Sequence, residues 1–276
     1  MIYHNNKMSE SKYKKLKEII SGLKQVAVAY SGGVDSTFLL KVSSDVLGEN
    51  VLAITARSAT LPGKELHEAE CMAKSFKVNH LIIDSDELEN PDFTKNPPDK
   101  CYVCKKIRFS SLIKIAKENG FTHVIDGENH DDHKDYRPGS KAARELGVRS
   151  PLSESGLTKN DIRELSKKIG LPTWDKPAYA CLATRIPYNT TITGEKLRQV
   201  NEGEEFLRNL GFSPQLRVRH YGDSARIELD PEDIPGITKA STRKKVVNYF
   251  KTLGFKFVTI DLEGYIMGSL NKTIRT

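Results

Sequence analysis

The stretch VAVAYSGGVDSTFLLK, residues 26–41, constrains the fold of this chain more than any other feature. Small apolar residues run up to Tyr30, two glycines and an aspartate follow, and apolar residues then recur at helical spacing. A glycine pair after a buried strand lets the backbone turn tightly, and the helix that follows presents unpaired N–H groups and the positive end of its dipole. The sequence therefore predicts an anion-binding turn between a strand and a helix.

Hydroxyl groups on both sides of the glycines indicate which anion this turn binds. Ser31, Ser36 and Thr37 add donors suited to phosphate. The stretch has neither the Gly-Lys-Ser/Thr ending of a Walker A loop nor the G-x-G-x-x-G spacing of dinucleotide-binding folds. A plainer alternative is a glycine turn with Ser36 as the N-cap of the helix. The complete order S-G-G-V-D-S in this strand–helix context favours the phosphate site.

Predicted strands and helices alternate along the chain up to about residue 185. Short apolar runs predict strands at residues 25–30, 51–56, 79–84 and 123–127. Apolar residues at helical spacing predict helices at residues 9–23, from 37 onward, at 62–76 and around 109–116. This alternation indicates an α/β fold, a doubly wound and mostly parallel sheet that binds ligands at the carboxyl ends of its strands.

The pattern changes towards the C-terminus. A helix at residues 195–210 precedes the alternating stretches QLRVRHY and ARIEL, which Gly222 and Asp223 join as a hairpin. A further helix and the strand KFVTIDL complete what we expect to be a small α+β domain. We place the boundary at residue 190, which gives an α/β domain with the predicted phosphate site at 1–190 and a small domain at 191–276, where we expect substrate binding or oligomerisation.

Composition narrows the class of protein. The chain has 43 basic and 36 acidic residues, a net charge of +7, which suits phosphate-bearing small molecules or RNA without indicating nucleic acid by itself. No apolar run approaches the roughly 20 residues that span a bilayer, and the N-terminus has no apolar signal core. We therefore expect a cytoplasmic protein without a membrane partner.

The four cysteines of such a chain are expected to serve metal binding or catalysis rather than disulfide bonds. Cys101 and Cys104 form a C-x-x-C pair just before a predicted helix, and Cys181 lies in AYACLATR. Cys71 falls within a helical pattern and is expected to be a small buried hydrophobe. For the pair, the residues leave open a chance neighbourhood, a zinc site that lacks further ligands, a redox or persulfide pair, and a 4Fe–4S cluster held by three thiolates.

The strand, S-G-G-V-D-S and helix together resemble the PP-loop of ATP pyrophosphatases. The resemblance implies a fold like that of adenine nucleotide alpha hydrolases, with ATP as substrate and Mg²⁺ as its partner ion. It also implies that the loop holds the β- and γ-phosphates, which leave together as pyrophosphate, and that Asp35 acts near the magnesium ion or the reacting group. The phosphate-binding residues would be Ser31, Gly32, Gly33, Asp35, Ser36 and Thr37.

Two further motifs fit the PP-loop resemblance because each follows a predicted strand. TARSA follows the second strand, so that Ala56, Arg57 and Ser58 could place backbone groups against adenine. DGENHDD follows the fourth strand, where Gly127 could let the nucleotide approach closely. Taken singly, each motif is a weak signal, since Asp-Gly is more often just a turn.

Longer stretches resemble the LarE family of sulfur transferases of nickel-pincer cofactor biosynthesis, from about residue 10 to about residue 270. The matching stretches are VAYSGGVDST, DGENHDDHKDYRPGSKAARELGVRSPL, ATRIPY, LGFSPQLRVRHYGDSARIEL and LGFKFVTIDLEGY. The resemblance implies a pyridinium-3,5-biscarboxylic acid mononucleotide as substrate: ATP adenylates a carboxylate, and sulfur then displaces AMP to form a thiocarboxylate. It also implies a homo-oligomer that needs a sulfide donor and binds no nucleic acid.

The LarE resemblance offers two sources of sulfur. Some members sacrifice the sulfur of one cysteine, which corresponds to Cys181, and lack the C-x-x-C pair. Others carry three cysteines and resemble cluster-dependent tRNA thiolation enzymes. Because Cys101, Cys104 and Cys181 match the second pattern, we expect a 4Fe–4S cluster to carry the sulfide, with these cysteines and Asp35 as the catalytic set.

The predicted hairpin holds the candidate substrate site. Strand alternation places Leu216, Val218, Ala225, Ile227 and Leu229 on one face, and Arg217, Arg219, Arg226 and Glu228 on the other. Two arginines one pleat apart can form a fork for phosphate, although a solvated sheet face is the plainer interpretation. The LarE resemblance implies that Arg217 and Arg219 bind the phosphate of the mononucleotide. Arg185, four residues after Cys181, and Glu228 are further substrate-binding candidates.

Alternative functions stay open at this point. A tRNA thiolation enzyme would use the same adenylation chemistry, and a nucleotide sensor would bind ATP without turning it over. An amidotransferase would need free ammonia, because the sequence contains no glutaminase domain.

Overall fold

The computed structural model describes residues 2–134, 138–177 and 181–270. The chain divides into two compact units. Unit 1 comprises Met1–Glu87 and Cys101–Tyr179, and unit 2 comprises Leu88–Lys100 and Ala180–Thr276. Residues 135–137, within the DYRPGSKAARE part of the family resemblance, lie outside the described residues.

The helices and strands follow one another in the order α1 (Ile2–Leu23), β1 (Val26–Ala29), α2 (Val34–Leu47), β2 (Val51–Arg57), α3 (Gly63–Ser75), β3 (Asn79–Asp84), α4 (Pro91–Thr94), α5 (Lys100–Glu118), β4 (Val124–Ile125), α6 (Pro138–Glu145), α7 (Pro151–Glu154), α8 (Lys159–Lys168), α9 (Gly194–Asn209), β5 (Arg217–Tyr221), β6 (Ser224–Glu228), α10 (Ile234–Thr238), α11 (Ala240–Thr252) and β7 (Phe257–Ile260). Within the described ranges, no helix combines the length and the apolar character needed to span a bilayer.

Unit 1 is built on a parallel sheet with the strand order β3-β2-β1-β4. Val26 of β1 lies opposite Val51 of β2, and Ala27 lies opposite Val124 of β4 on the other side. The chain adds β2 and β3 on one side of β1 and then returns to place β4 on the other side. This reversal makes the gap between β1 and β4 the switch point at which doubly wound sheets bind ligands. The predicted α/β fold with a mostly parallel sheet is confirmed.

Two apolar clusters cover the sheet of unit 1. One joins α1 and α2 to the sheet through fully buried side chains such as Leu16, Ile20, Phe38 and Leu39. The other joins α5 to the strands through Ile54, Phe109, Leu112 and Ala116. Burial of a side chain of this size contributes roughly 1.5–3 kcal/mol. Helices on both faces explain why the strands are continuous apolar runs and do not alternate.

The start of α2 tests the interpretation of Ser36 as a helix cap. The helix begins at Val34 rather than at residue 37, and its N-cap is Gly33, which contributes no side-chain hydrogen bond. Ser36 therefore lies inside the first turn of α2, and the interpretation of Ser36 as the N-cap residue is wrong. No described side chain caps the start of α2, and Ser31 and Ser36 lie beside it.

Unit 2 contains the predicted hairpin. β5 and β6 pair in antiparallel register, with Arg217 opposite Glu228, and Gly222 takes the left-handed φ of +60° that the two-residue turn requires. β7 joins β6 in parallel, which gives the order β5-β6-β7. The predicted apolar face is confirmed, because Leu216, Val218, Ala225, Ile227 and Leu229 are all 0% exposed.

Residues 88–100, which the predicted boundary at residue 190 placed in the first domain, belong to unit 2 and contain the short helix α4. Asn96 explains this placement. The amide nitrogen of its fully buried side chain donates to the backbone carbonyls of Ile186, Pro187 and Thr190 at 3.2, 2.7 and 3.1 Å. The backbone carbonyl of Asn96 accepts from the N–H of Asn189. The compact units divide between Tyr179 and Ala180, whereas the sequence analysis placed the division at residue 190.

Candidate active site

A cavity of about 430 Å³ opens in unit 1 at the carboxyl ends of β1, β2 and β4. Ser31 and Gly33 line it after β1, Ala56 lines it at the end of β2, and Gly127 lines it after β4. The cavity therefore occupies the switch point of the sheet. Three sequence-predicted motifs, the glycine turn, TARSA and DGENHDD, each contribute to its wall.

The glycine turn depends on close backbone approach at two positions. Gly32 has a φ of +72°, and a Cβ built there would lie 2.9 Å from the Cβ of Ala69. A Cβ on Gly127 would lie 3.0 Å from the backbone nitrogen of Ser36. Gly127 therefore brings the segment after β4 against the N-terminus of α2, where the first N–H groups have no acceptor within the helix.

The hydroxyl groups of the turn differ in whether they line the cavity. Ser31 and Ser36 lie with their Oγ atoms 3.1 Å apart, and both residues line the cavity. Ser36 Oγ also donates to the carbonyl of Gly33 at 3.3 Å. Thr37 is fully buried, is not part of the cavity wall, and its Oγ1 finds no partner among the described residues. The two serines are thus the hydroxyl donors that the turn presents to the cavity.

Asp35 of the turn forms an ion pair with Lys159, a contact that no local sequence pattern could predict. Lys159, the first residue of α8, donates from Nζ to both carboxylate oxygens of Asp35 at 2.8 Å. Asn129 Nδ2 donates to the same carboxylate at 3.4 Å. Burial raises the pKa of Asp35 above its ordinary value of 3.8, although Lys159 acts in the opposite direction. Asp35 and Lys159 both line the cavity.

The three residues of the TARSA motif take different positions. Ala56 lines the cavity, whereas Arg57 is 59% exposed and donates to Asp84 at 2.7 and 3.0 Å. Ser58 is buried and its Oγ lies 2.9 Å from Thr60 Oγ1. Neither Arg57 nor Ser58 belongs to the cavity wall. Apolar side chains next to Ala56 form a surface suited to a flat base: Ile54, Leu61, Phe109 and Leu112.

Lys176 is a cavity residue that the sequence analysis missed. Its Nζ bonds to Glu65 at 2.7 Å and Glu68 at 2.8 Å on α3, and donates to the carbonyl of Gly32 at 3.3 Å. Burial alone would lower the pKa of Lys176, but its bonds to Glu65 and Glu68 raise it above 10.5. Lys176 therefore fastens the glycine turn to α3. Lys176 and Lys159 lie more than 120 residues after the turn, so no local pattern could reveal these contacts.

Cys101 and Cys104 lie within the first turns of α5 rather than before a helix. Three residues apart on a helix, they share one face. Cys101 is exposed, whereas Cys104 is buried with its Sγ 3.5 Å from Oε1 of Glu87. Glu87 is 1% exposed and forms an ion pair with Arg108.

The other cysteines differ from the C-x-x-C pair. Cys71 is exposed on α3, so the expectation of a buried hydrophobe is wrong, because its helix turns that position to solvent. Cys181 belongs to unit 2 and is partly exposed at the N-cap of a short 3₁₀ helix, Leu182–Arg185. Among the described residues, no three His, Cys, Asp or Glu side chains are gathered as a metal-binding group.

Arg185 and Glu204 form the centre of a charged cluster inside unit 2. Arg185 Nε donates to Glu204 Oε1 at 2.8 Å, and Arg208 donates to Oε2 at 2.7 Å. The N–H of Val218 donates to Oε1 at 3.2 Å. Glu204 and Glu205 are adjacent on α9, but Glu204 is buried and Glu205 is exposed.

The face of the hairpin that carries arginines is buried, so the solvated alternative is wrong. Arg217 is 7% exposed, Arg219 is 5% exposed and Glu228 is fully buried. Arg219 donates to Glu228 Oε2 at 2.7 and 3.0 Å and to the carbonyl of Thr184 at 2.8 Å. Arg226 donates to the other oxygen of Glu228 at 2.9 Å.

Arg217 differs from the other buried arginines of unit 2. No described carboxylate forms an ion pair with it; it donates to the carbonyl of Leu216 at 2.7 Å and lies 4.8 Å from the ring of Tyr265. Burial lowers the pKa of Arg217 below its ordinary value, and the positive charge of Arg185 lowers it further. A buried cation with this excess of positive charge is a site that an anion would stabilise.

Comparison with known proteins finds relatives along nearly the whole chain. A pyridinium-3,5-bisthiocarboxylic acid mononucleotide synthase of Lactiplantibacillus plantarum is 40% identical over 256 residues, 92% of each chain. Uncharacterised proteins of Synechocystis and Methanocaldococcus jannaschii are 45% and 34% identical, over 97% and 88% of this chain and 99% and 91% of theirs. A tRNA-specific 2-thiouridylase of Rickettsia rickettsii is 27% identical over 56% of this chain and 53% of its own. No family model matches the chain.

Proposed function

The chain belongs to the LarE family of pyridinium-3,5-bisthiocarboxylic acid mononucleotide synthases, and on this basis we propose that it is an ATP-dependent sulfur transferase acting on a pyridinium-3,5-biscarboxylic acid mononucleotide. Sulfur transfer is common to the relatives whose function is named. The observation that carries the proposal is the cavity of unit 1, where the S-G-G-V-D-S turn and the start of α2 face the switch point of the sheet.

The first step is activation of a carboxylate. A carboxylate oxygen attacks the α-phosphorus of ATP, the bond to the β-phosphate breaks, and pyrophosphate leaves. The N–H groups at the start of α2 and the hydroxyls of Ser31 and Ser36 are positioned to hold the departing phosphates. The apolar wall that contains Phe109 and Leu112 supports the adenine ring. The product of this step is an acyl-adenylate.

The second step is replacement of AMP by sulfur. A sulfide sulfur attacks the carbonyl carbon, the bond to the AMP oxygen breaks, and a thiocarboxylate forms. A 4Fe–4S cluster held by three thiolates would supply the sulfide for this step. Cys101 and Cys104, one helical turn apart on α5, would supply two thiolates and Cys181 the third. A persulfide on the C-x-x-C pair is the alternative carrier.

The substrate phosphate is assigned to unit 2. Three buried arginines, Arg185, Arg217 and Arg219, face two buried glutamates, Glu204 and Glu228, so positive charge is in excess. A phosphate group would supply the anion that Arg217 lacks. Arg219 and Glu228 are already bonded to each other, so they shape the site around Arg217. The family membership also supports a homo-oligomer.

A tRNA thiolation enzyme is the second candidate, since the 2-thiouridylase of Rickettsia rickettsii is related to part of the chain. Its substrate would add many phosphate contacts, and binding would weaken steeply with salt. A gel shift with bulk tRNA at physiological salt separates the candidates: specific binding would favour tRNA. The small-molecule substrate is favoured because the synthase relative matches 92% of the chain.

The direct test combines the protein with ATP, Mg²⁺, sulfide and the mononucleotide in the absence of oxygen. We expect pyrophosphate and AMP to be released, and mass spectrometry to detect the thiocarboxylate product. The Asp35→Ala variant should abolish pyrophosphate release, and retained turnover would argue against the PP-loop assignment. Absence of both the adenylate and the thioacid from the wild-type reaction would contradict the proposed function.

A further inference from the structure

Lys159 is the cavity residue whose role the proposed function does not yet explain. Its ammonium lies 2.8 Å from both carboxylate oxygens of Asp35. Asp35 belongs to the first turn of α2, which faces the phosphates of ATP in the proposed first step. The side chain of Lys159 is 34% exposed and that of Asp35 is 20% exposed. The pair therefore lies at the cavity surface, where an incoming anion can reach the ammonium.

The chain fixes the position of Lys159 through several elements. Lys159 opens α8, whose N-cap is Thr158 in a capping box with Asp161. The backbone N–H of Lys159 donates to Asp131 at 2.9 Å, and the N–H of His130 donates to the carbonyl of Leu157 at 2.8 Å. The DGENHDD segment after β4 thus holds the start of α8, and with it Lys159, against the glycine turn.

Charge around Asp35 explains why a lysine is placed there. Asp132 also lines the cavity and raises the pKa of Asp35, so carboxylates would repel a phosphate from this wall. An ammonium is a compact charge with three donors on a flexible stem, so it can move from a carboxylate to a phosphate without leaving the site. Lys159 is therefore suited to changing partners.

We propose that Lys159 is a catalytic residue that binds the β- and γ-phosphates of ATP and that Asp35 holds it in place until they arrive. This inference rests on the proposed use of ATP. When the bond between the α- and β-phosphates breaks, its electron pair stays on pyrophosphate, and the ammonium of Lys159 stabilises that negative charge. No proton transfer is required at this step, because the ammonium acts through its charge and its N–H donors.

Binding of ATP and AMP to the same variants tests the proposal. We expect Lys159→Met to weaken ATP and inorganic pyrophosphate binding by at least about tenfold, since it removes a charged hydrogen bond. AMP lacks the β- and γ-phosphates, so its affinity should change by no more than about twofold. Lys159→Arg should restore part of the ATP affinity. Lys167→Met is the matched control, because Lys167 is exposed on the same helix and its ammonium lies 4.5 Å from the centre of the Trp174 ring.

A double-mutant cycle tests the link between Lys159 and Asp35. In the presence of EDTA, Asp35→Asn should bind inorganic pyrophosphate more tightly than wild type, because Lys159 is released and a negative charge is removed. Asp35→Asn with Lys159→Met should lose that gain. A gain that persists without Lys159, or equal losses of ATP and AMP in Lys159→Met, would overturn the inference. Wild-type protein that binds neither nucleotide would instead overturn the proposed function itself.

Discussion

Arg185 and Glu204 form a two-bond ion pair in the interior of unit 2, with N–O distances of 2.8 and 3.1 Å and side chains only 1% and 2% exposed. Because Glu204 also accepts from the N–H of Val218, its carboxylate connects α9, β5 and the 3₁₀ helix after Cys181. Arg185, one of the proposed substrate arginines, is therefore held by a buried acid, and the stability of unit 2 should depend on that acid.

Replacement of Glu204 by glutamine should destabilise unit 2. The substitution leaves Arg185 buried without its counter-charge, and breaking a buried ion pair from one side costs about 3–5 kcal/mol. The measurement is the free energy of unfolding from urea titration followed by circular dichroism. Glu205→Gln, on the exposed neighbour in the same helix, should change stability by no more than about 0.5 kcal/mol. Equal effects of the two variants would contradict a special role for Glu204.

The same ion pair predicts a dependence of stability on pH. Burial alone would raise the pKa of Glu204, but Arg185, and then Arg217 and Arg208, lower it below 4.5. An acid whose pKa is depressed by folding contributes stability above its unfolded pKa and loses it as pH falls through the folded pKa. Thermal unfolding of the wild type should therefore shift to lower temperature in acid below pH 4.5. Glu204→Gln should lack this part of the shift, and an unchanged pH profile would count against the pair.

Arg217 and Arg219 should respond differently to substitution by methionine. Arg219→Met removes a buried partner of Glu228 and should lower Tm, whereas Arg217→Met removes a cation that has no carboxylate partner among the described residues. Arg217→Met should therefore keep or raise Tm while raising the KM for the mononucleotide far more than that for ATP. A KM increase of equal size for both substrates would argue against a substrate-phosphate role.

Gly127→Ala should impair ATP binding indirectly, because it displaces the start of α2. A Cβ at this position would lie 3.0 Å from the backbone nitrogen of Ser36, so the start of α2 must move. We expect a higher Kd for ATP in calorimetry. Gly120→Ala is the control for a glycine-to-alanine change that causes no clash, because a Cβ at Gly120 meets nothing within 4 Å. Its φ of +85° predicts a modest loss of stability but no change in ATP affinity. Wild-type affinity in Gly127→Ala would show that the close approach is dispensable.

The cysteines give a spectroscopic prediction. Protein purified without oxygen should show the broad absorption of an iron–sulfur cluster together with iron and acid-labile sulfide. Alanine at Cys101, Cys104 or Cys181 should each remove it, because each supplies one thiolate in the proposed set. Cys71→Ala is the matched control and should keep the spectrum, since Cys71 lies exposed on α3. A colourless, iron-free and fully active wild type would contradict the cluster.

The sequence by itself determined the parallel α/β sheet, the glycine turn after β1 and the apolar face of the hairpin. These features are local, because the periods of 2 and 3.6 residues and the glycines that allow unusual backbone angles can be seen in neighbouring positions of the sequence. The order S-G-G-V-D-S therefore predicted where the cavity lies, and longer matching stretches indicated the family.

Only the tertiary structure decided which charges meet. Lys159 reaches Asp35, Lys176 reaches Gly32, and Asn96 bonds to the carbonyl of Ile186 across separations of 124, 144 and 90 residues. It also decided that Arg217 and Arg219 are buried, which strand alternation alone could not distinguish from a solvated face. The physical reason is that burial and ion pairing depend on which residues pack together in the fold. The sequence of a single strand or helix does not show which distant residues will pack against it.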